Sequence, residues 1–388
     1  MPSLTRSQRM AGAHLATAVI AVAFVVATGW PNLRRGRHLD FLSFYTGGLL
    51  VRQGRFDQLY AYPAHVEIES KLAPENAVFQ PYIRPPFYAL LVSPLTLVSL
   101  PTAHTCWVAL QVAVLLACWA WLARRFGSAA LAWASVFLPP AVGLINGQDC
   151  IFVLALLILG FILWNRGREF TAGAVWGLAI FKPHILFLLP LLLIAFRKWR
   201  AAAGFGAVAG ALAGISLALI GFGGLGDYLR LLRSNEATGS VADSRWMMVN
   251  IEALAGLLDY SVALRVLLSL AVVALVVAAG RRAPFERWFS AAIAGSLLLA
   301  PHVFKYDAAA LLLPGIIGAL KSPHRSTRIA AGFALSPLPY FFTEVSRWLA
   351  ALGPMALIGF MCALAWEGLA SIGRNPQYSP EETACKTE

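Results

Sequence analysis

Apolar residues run along this chain in long blocks with few polar positions inside them. The blocks fall at about 11–29, 102–123, 128–145, 150–164, 170–181, 185–196, 201–222, 261–280, 284–300, 307–320, 326–342 and 348–370. Continuous apolar runs near the length that crosses a bilayer predict membrane helices, which makes this an all-α polytopic integral membrane protein with about 10–12 transmembrane helices. The fifth and sixth blocks are short and meet at Lys182-Pro183-His184, where proline cannot continue a helix. Two short spans and one broken, re-entrant pair both fit that junction.

Two stretches between blocks are long, at about 30–101 and 223–260. In the first, Phe41, Phe44, Tyr45 and Leu49 recur at i, i+3, i+4 and i+8. That spacing predicts an amphipathic helix lying on the membrane surface. Phe56–Tyr62 and Phe79–Tyr88 are rich in aromatic residues and proline, suited to the interface, and Phe87–Val98 can form another short surface helix interrupted at Pro94. Residues 1–372 therefore read as a single polytopic domain, with 30–101 a large extracytoplasmic loop carrying surface helices and 223–260 a second one. Residues 373–388 read as a flexible cytoplasmic tail.

Charge fixes the orientation. With the N-terminus in the cytoplasm, the inside loops carry Arg124/Arg125, Arg166/Arg168, Arg197/Lys198/Arg200, Arg281/Arg282/Arg287 and Lys321/Arg325/Arg328. The short outside turns Asn146–Asp149, Lys182–His184, Pro301–Tyr306 and Thr343–Arg347 carry at most one Lys or Arg each. This is the asymmetry of cytoplasmic loops; Arg34, Arg35 and Arg37, just outside the first span, run against it. The same asymmetry explains the net charge of +12 without a nucleic-acid partner. Only 13% of residues are charged, and the mean hydropathy is +0.68, which excludes a soluble enzyme and a disordered chain. Five Cys with no CxxC imply no disulfide framework. Arg6 and Arg9 precede the first block without an A-x-A cleavage signal, as in a retained signal anchor.

The non-basic polar residues concentrate on the outer side. They are Asp40, Asn146-Gly147-Gln148-Asp149, Lys182-Pro183-His184, and Pro301-His302 through Lys305-Tyr306-Asp307. Polar groups at membrane depth are costly and tend to be functional or paired. Asp40 can cap a helix or act as a general base toward a hydroxyl. Gln148 and Asp149 can cap the following helix or hydrogen-bond a sugar or phosphate. Lys182 can snorkel to the interface or hold a lipid phosphate, and His184 can be a satisfied interfacial residue. Lys305 and Asp307 can pair, and His302 can share a proton with a carboxylate or bind phosphate. Arg84, in Tyr82-Ile83-Arg84-Pro85-Pro86, can contact a phosphate or lipid headgroups. No HExxH, P-loop, GxSxG or dinucleotide-binding fingerprint occurs, and no set of three metal ligands at regular spacing. No cofactor and no metal are expected.

The ordered set is specific in combination. Asp40 leads into Phe-x-x-Phe-Tyr-x-Gly-Gly-x-Leu-x-x-x-Gly at 41–54, then Leu59-Tyr60 and Pro-Pro-Phe-x-x-Leu-Leu-x-x-Pro-Leu at 85–95. Asn146-Gly147-Gln148, Lys182-Pro183, Pro301-His302 and Tyr306-Asp307 follow. From about 38 to 315 the chain resembles glycosyltransferase family 87, membrane proteins related to polyprenol-phosphate-mannose-dependent mannosyltransferases. The resemblance implies a GT-C-type fold and a metal-independent, inverting transfer of a hexose, commonly mannose. The donor would be a polyprenyl-phosphate-linked sugar, and a lipid or glycan hydroxyl would be the acceptor. The site would lie on the extracytoplasmic face of the plasma (inner) membrane, among membrane lipids. Asp40 would be the base, and Lys182, His302 and Arg84 would stabilise the leaving phosphate. Arg84, Asp149-Cys150 and His184 depart from residues common in the family, which bears on substrate identity more than on reaction class. Asp149 and Asp307 share the outer face and compete with Asp40 for the role of base. A transporter or lipid flippase without chemistry is the other reading, although polar groups gathered at one face, with no matching halves, do not favour it.

Overall fold

The computed structural model describes residues 39–74, 81–237, 245–258, 262–280 and 283–372. The expected first span at 11–29, the basic run at 34–37 and the tail at 373–388 lie outside the described residues, as does part of the Phe79–Tyr88 segment. The described chain is helical. Its helices of seven residues or more are α1 (Leu39–Arg52), α2 (Tyr62–Leu72), α3 (Pro86–Val92), α4 (Leu100–Phe126), α5 (Ser128–Val136), α6 (Leu138–Asn146), α7 (Cys150–Asn165) and α8 (Glu169–Gly177). They continue with α9 (Leu188–Ala195), α10 (Trp199–Ala237), α11 (Ile251–Leu258), α12 (Val262–Gly280), α13 (Phe285–Leu299), α14 (Leu312–Lys321), α15 (Arg325–Leu335) and α16 (Leu352–Ile372). An isolated bridge between Met248 and Phe304 is the only β pairing among the described residues.

Four helical stretches are long and apolar enough to cross a membrane: Leu100–Phe126, Trp199–Ser234, Val262–Gly280 and Arg347–Ala370. The other apolar blocks form shorter helices, with breaks where the sequence carries proline. α5 and α6 are bent by 48° at Phe137, because Pro139 and Pro140 have no N–H to donate to the preceding turn and their rings crowd its carbonyls. At Lys182-Pro183 the chain makes two short 3-10 turns between α8 and α9. With 9 and 8 residues, these helices are each shorter than a span. α12 turns Val266, Leu270, Val273 and Val277 outward on one stripe, an apolar face suited to lipid.

Two expectations about the loops change. The stripe at 41, 44, 45 and 49 does mark a helix, α1, but it does not lie on a surface. Leu42, Ser43 and Thr46 on its other sides are buried as well, because none of them is charged and the helix can be covered all round. The expected 223–260 loop begins instead as a continuation of α10 to Ala237, across a break at Gly221 (φ 65°). The segment around 87–98 behaves as its sequence predicts: α3 ends at Val92, and Pro94 sits in the first turn of the following 3-10 helix.

Close helix packing sets the frame. An added Cβ at Gly173 of α8 would stand 1.9 Å from the Ala201 carbonyl oxygen of α10, and one at Gly204 of α10 would stand 2.0 Å from that of Phe170. Two backbones approach this closely only where the facing residues are small. The fold also separates two ends. The starts of α4, α7 and α14 and the end of α13 gather with the turns at 146–149, 182–184 and 301–307. At the other end, Lys198 lies over Trp164, Trp164 stacks on Phe285, and Arg125 and Lys321 flank Phe126. The basic loops therefore share one end, and Asp40, Gln148, Asp149 and Asp307 lie at the other.

Candidate active site

Gly147 shapes the centre of the polar end. It terminates α6 in the left-handed region (φ 69°), which glycine adopts without steric cost. The Gln148 N–H donates to the Gly143 carbonyl and the Gly147 N–H to that of Leu144, the paired bonds of a Schellman ending. The indole N–H of Trp107 donates to the Gly147 carbonyl (2.9 Å), tying the turn to α4. The turn projects Gln148 and Asp149 inward. Asp149 occupies the N-cap position of α7, but its side chain makes no capping bond, so the capping alternative is not the one realised.

The Asp149 carboxylate is instead gripped by Arg84. The guanidinium Nε donates to one oxygen (2.8 Å) and Nη2 to the other (3.0 Å), a bidentate pair with both side chains buried. Lys182 Nζ stands 3.0 Å from Asp149 and 2.6 Å from Asp307. The second Asp307 oxygen accepts the Phe304 N–H (3.1 Å). Arg84 is 5% exposed, Asp149 0%, Lys182 2% and Asp307 1%. Lys182 thus neither snorkels nor reaches an interface, because two carboxylates hold its ammonium inside the protein. Asp307 takes its cation from Lys182, 125 residues away in sequence. Lys305 sits in the same turn as Asp307, half-buried.

Gln148 links this cluster to Asp40. Its Oε1 accepts from Arg84 Nη2 and Lys182 Nζ (both 3.0 Å), and its Nε2 donates to Asp40 Oδ2 (2.6 Å). The partners dictate the amide orientation, since a reversed amide would turn its N–H groups toward two cations. Two cations and two carboxylates in the cluster sum to zero. Asp40 is the remaining carboxylate, and its direct partner in the network is a neutral amide.

The electrostatics follow from this arrangement. Burial raises the Asp40 carboxyl above its ordinary value; the Gln148 hydrogen bond and the Arg84 and Lys182 charges oppose that only in part. Burial acts on Asp149 in the same direction, but Arg84 and Lys182 together outweigh it and hold that carboxyl well below the usual range. His184 and His302 face each other nearly at right angles, with ring centres 6.4 Å apart. Burial lowers them to about 3 and about 4, so both imidazoles are neutral at physiological pH.

Aromatic residues complete the site, Tyr306 among the candidates from the sequence and Phe44, Tyr60 and Tyr88 from segments read there as interfacial. Arg84 lies 5.2 Å above the Phe44 ring and Lys182 5.1 Å from that of Tyr306. Tyr60 Oη donates to the Arg84 carbonyl (2.9 Å), and Tyr88 stacks on Phe181 (5.0 Å). Tyr88, Phe181 and Trp107 also line one wall of a cavity of about 760 Å³ that is otherwise bounded by Leu91, Leu110, Phe152 and similar side chains. Phe181 is adjacent to Lys182 and Trp107 is bonded to Gly147, so an almost wholly apolar groove ends beside the charged network. Among the described residues no group of three His, Cys, Asp or Glu side chains could hold a metal ion.

The structure brings together Asp40, Arg84, Gln148, Asp149, Lys182 and Asp307 in one network, with Tyr306 against it and His184 and His302 beside it. The model of one protein family, described as glycosyltransferase family 87, matches residues 82–301. No curated protein and no solved structure matches the chain.

Proposed function

The chain belongs to glycosyltransferase family 87 and is a membrane glycosyltransferase, and from that premise we propose that its donor is a hexose, mannose first, carried on a polyprenyl phosphate. The observation that carries this reading is the apolar groove ending at the Arg84–Lys182 network. A polyprenyl chain needs a long dry surface, and its phosphate needs cations and hydrogen-bond donors at the end of that surface. Tyr88 and Phe181 stand where the two environments meet. The acceptor is a lipid or glycan hydroxyl, and the site works at the extracytoplasmic face of the plasma membrane, within a GT-C-type body.

Asp40 is the base in this reading. Asp149 and Asp307 are neutralised by Arg84 and Lys182, whereas Asp40 has one neutral hydrogen bond and a raised affinity for a proton. The acceptor oxygen attacks the anomeric carbon from the side opposite the phosphate, and its proton passes to Asp40. The new C–O bond forms as the bond from the anomeric carbon to the phosphate oxygen breaks, which inverts the configuration. Polyprenyl phosphate leaves with the bonding electron pair, and Asp40 later releases its proton to water. Arg84 and Lys182, with neutral His184 and His302 as donors, offset the charge that builds on the phosphate. Gln148 holds Asp40 and the cations in one geometry.

The test is transfer of radiolabel from polyprenyl-phosphate mannose to an extract of native lipids and glycans, with purified protein in lipid. Label should move to a new product, and Asp40→Asn should lower the rate by about 10²–10⁴-fold. Transfer from polyprenyl-phosphate glucose or arabinose alone would change the sugar. Transfer only from a nucleotide sugar would overturn the donor class, and near-normal turnover in Asp40→Asn would remove Asp40 as the base.

A further inference from the structure

The end of the molecule opposite this site carries a second cavity, of about 330 Å³, that the transfer reaction does not use. Three separated basic turns meet there. Arg125 comes from the end of α4, Arg287 from the start of α13 and Lys321 from the end of α14. α13, whose other end borders the site, is 15 residues long and alone separates the two ends by about 20 Å.

The three cations are not equivalent. Arg287 is committed to the fold: its Nε donates to the Ala279 carbonyl (3.0 Å), its Nη1 to that of Glu367 (3.3 Å), and its guanidinium pairs with the Glu367 carboxylate (3.7 Å). The other Glu367 oxygen accepts the Ser322 hydroxyl (2.6 Å). Arg125 and Lys321 instead lie against a single ring, Phe126, at 5.3 and 6.0 Å, and neither forms an ion pair among the described residues. Two exposed cations are thus held against one ring and line the same cavity. Glu286, half-buried on the same cavity wall, likewise pairs with no described cation. The inner wall is apolar, formed by Phe161, Ile317 and Leu364.

We propose that this cavity binds the headgroup of a zwitterionic phospholipid, a phosphoethanolamine, from the leaflet opposite the active site. The phosphate lies between Arg125 and Lys321, the ammonium faces Glu286, and an acyl chain follows the wall of Phe161, Ile317 and Leu364. A lipid fits better than a free phosphate because the cavity sets apolar side chains, Phe161, Ile317 and Leu364, against its cations, and an inorganic ion has nothing to place on them. A headgroup with both charges fits better than an anionic one because the same cavity carries a carboxylate, Glu286, that pairs with no described cation.

The test uses the full-length protein in detergent, titrated with dioctanoyl phosphatidylethanolamine, phosphatidylglycerol, phosphatidylcholine or inorganic phosphate. Bound lipid is counted by native mass spectrometry, and thermal unfolding is followed in parallel. Phosphatidylethanolamine should bind saturably at one site and raise the unfolding temperature. Arg125→Gln with Lys321→Gln should weaken it by about 30-fold, and the charge-retaining Arg125→Lys with Lys321→Arg should restore most of the affinity. Glu286→Gln should remove the preference for phosphatidylethanolamine over phosphatidylglycerol. Equal binding of all three lipids, tighter binding of phosphatidylglycerol by the wild type, or a wild-type response of the double Gln variant would each overturn the proposal. An equal response to inorganic phosphate would overturn its lipid part. None of these residues lies in the transfer site, so failure here leaves the transferase reading intact.

Discussion

Replacing Asp149 and replacing Asp40 with Asn make the same change, an amide NH2 for a carboxylate oxygen, at two positions of one network, yet only the first should destabilise the protein. Asp149 accepts two hydrogen bonds from Arg84 and lies 3.0 Å from Lys182, with no exposure to solvent. Asp149→Asn takes the directly bonded carboxylate from Arg84 and leaves Lys182 with Asp307 alone, while Asp40 reaches both cations only through the neutral Gln148 amide. Removing one partner of a buried pair costs about 3–5 kcal/mol. In a chain of this size that lowers the unfolding temperature by on the order of 5–10 °C.

Asp40→Asn has a different balance. Its Oδ can still accept from Gln148 Nε2, and the charge removed is the one whose direct partner in the network is a neutral amide. Burial raises the Asp40 carboxyl, so the folded state holds that proton more tightly than the unfolded chain does. The resulting stability is present at low pH and is lost as pH rises through the raised value. At neutral pH the ionised carboxylate is therefore a net cost, and a neutral amide removes it. The unfolding temperature of Asp40→Asn should equal the wild-type value or exceed it by a few degrees, while transfer is lost. Fluorescence-detected size exclusion after heating, at pH 7 in one detergent, compares the three proteins directly. Equal destabilisation of both variants, or a wild-type unfolding temperature for Asp149→Asn, would refute the division of the carboxylates into two paired and one unbalanced.

The pH profile of transfer should fall on the acid side with a midpoint above the ordinary carboxylate value of about 4, since Asp40 must be ionised to accept a proton; initial rates between pH 4 and 8 locate it. Because burial keeps His184 and His302 neutral, with values of about 3 and about 4, neither should add an inflection between about pH 5 and 8. Ala155→Trp, which fills the apolar groove, should raise the KM for a long-chain lipid donor about tenfold and change kcat much less; equal kinetics with long-chain and truncated donors would separate the groove from donor binding. Gly147→Ala places a methyl group 2.8 Å from the Phe41 Cβ in a left-handed conformation, at a cost of about 1–2 kcal/mol for the backbone alone. It should displace α1, which carries Asp40, and reduce transfer about tenfold or more while most of the protein still folds, as read by activity per monodisperse molecule.

Much of this architecture is legible in one dimension, because the bilayer imposes its demands locally. A run such as Val262–Gly280 is apolar enough to span whatever surrounds it, and a proline such as Pro183 or Pro139 breaks a helix through its own ring. The left-handed ending at Gly147 is readable for the same reason, as is the gathering of Asp40, Gln148, Asp149, Lys182 and Asp307 at one end. The tertiary structure decided what depends on residues far apart in the chain. Arg84 meets Asp149 across 65 positions, Gln148 meets Asp40 across 108, and Lys182 meets Asp307 across 125. Local patterning permits Lys182 to reach the interface and α1 to lie on a surface. The packing of the turns puts two carboxylates around Lys182 and covers α1 on every side. The reason is Coulombic and steric. A buried charge takes the nearest opposite charge that folding brings within about 3 Å, and an uncharged helix can be enclosed wherever neighbours fit. Sequence therefore determined which residues occupy the polar end, and the fold decided which of its three carboxylates is left without a cation of its own.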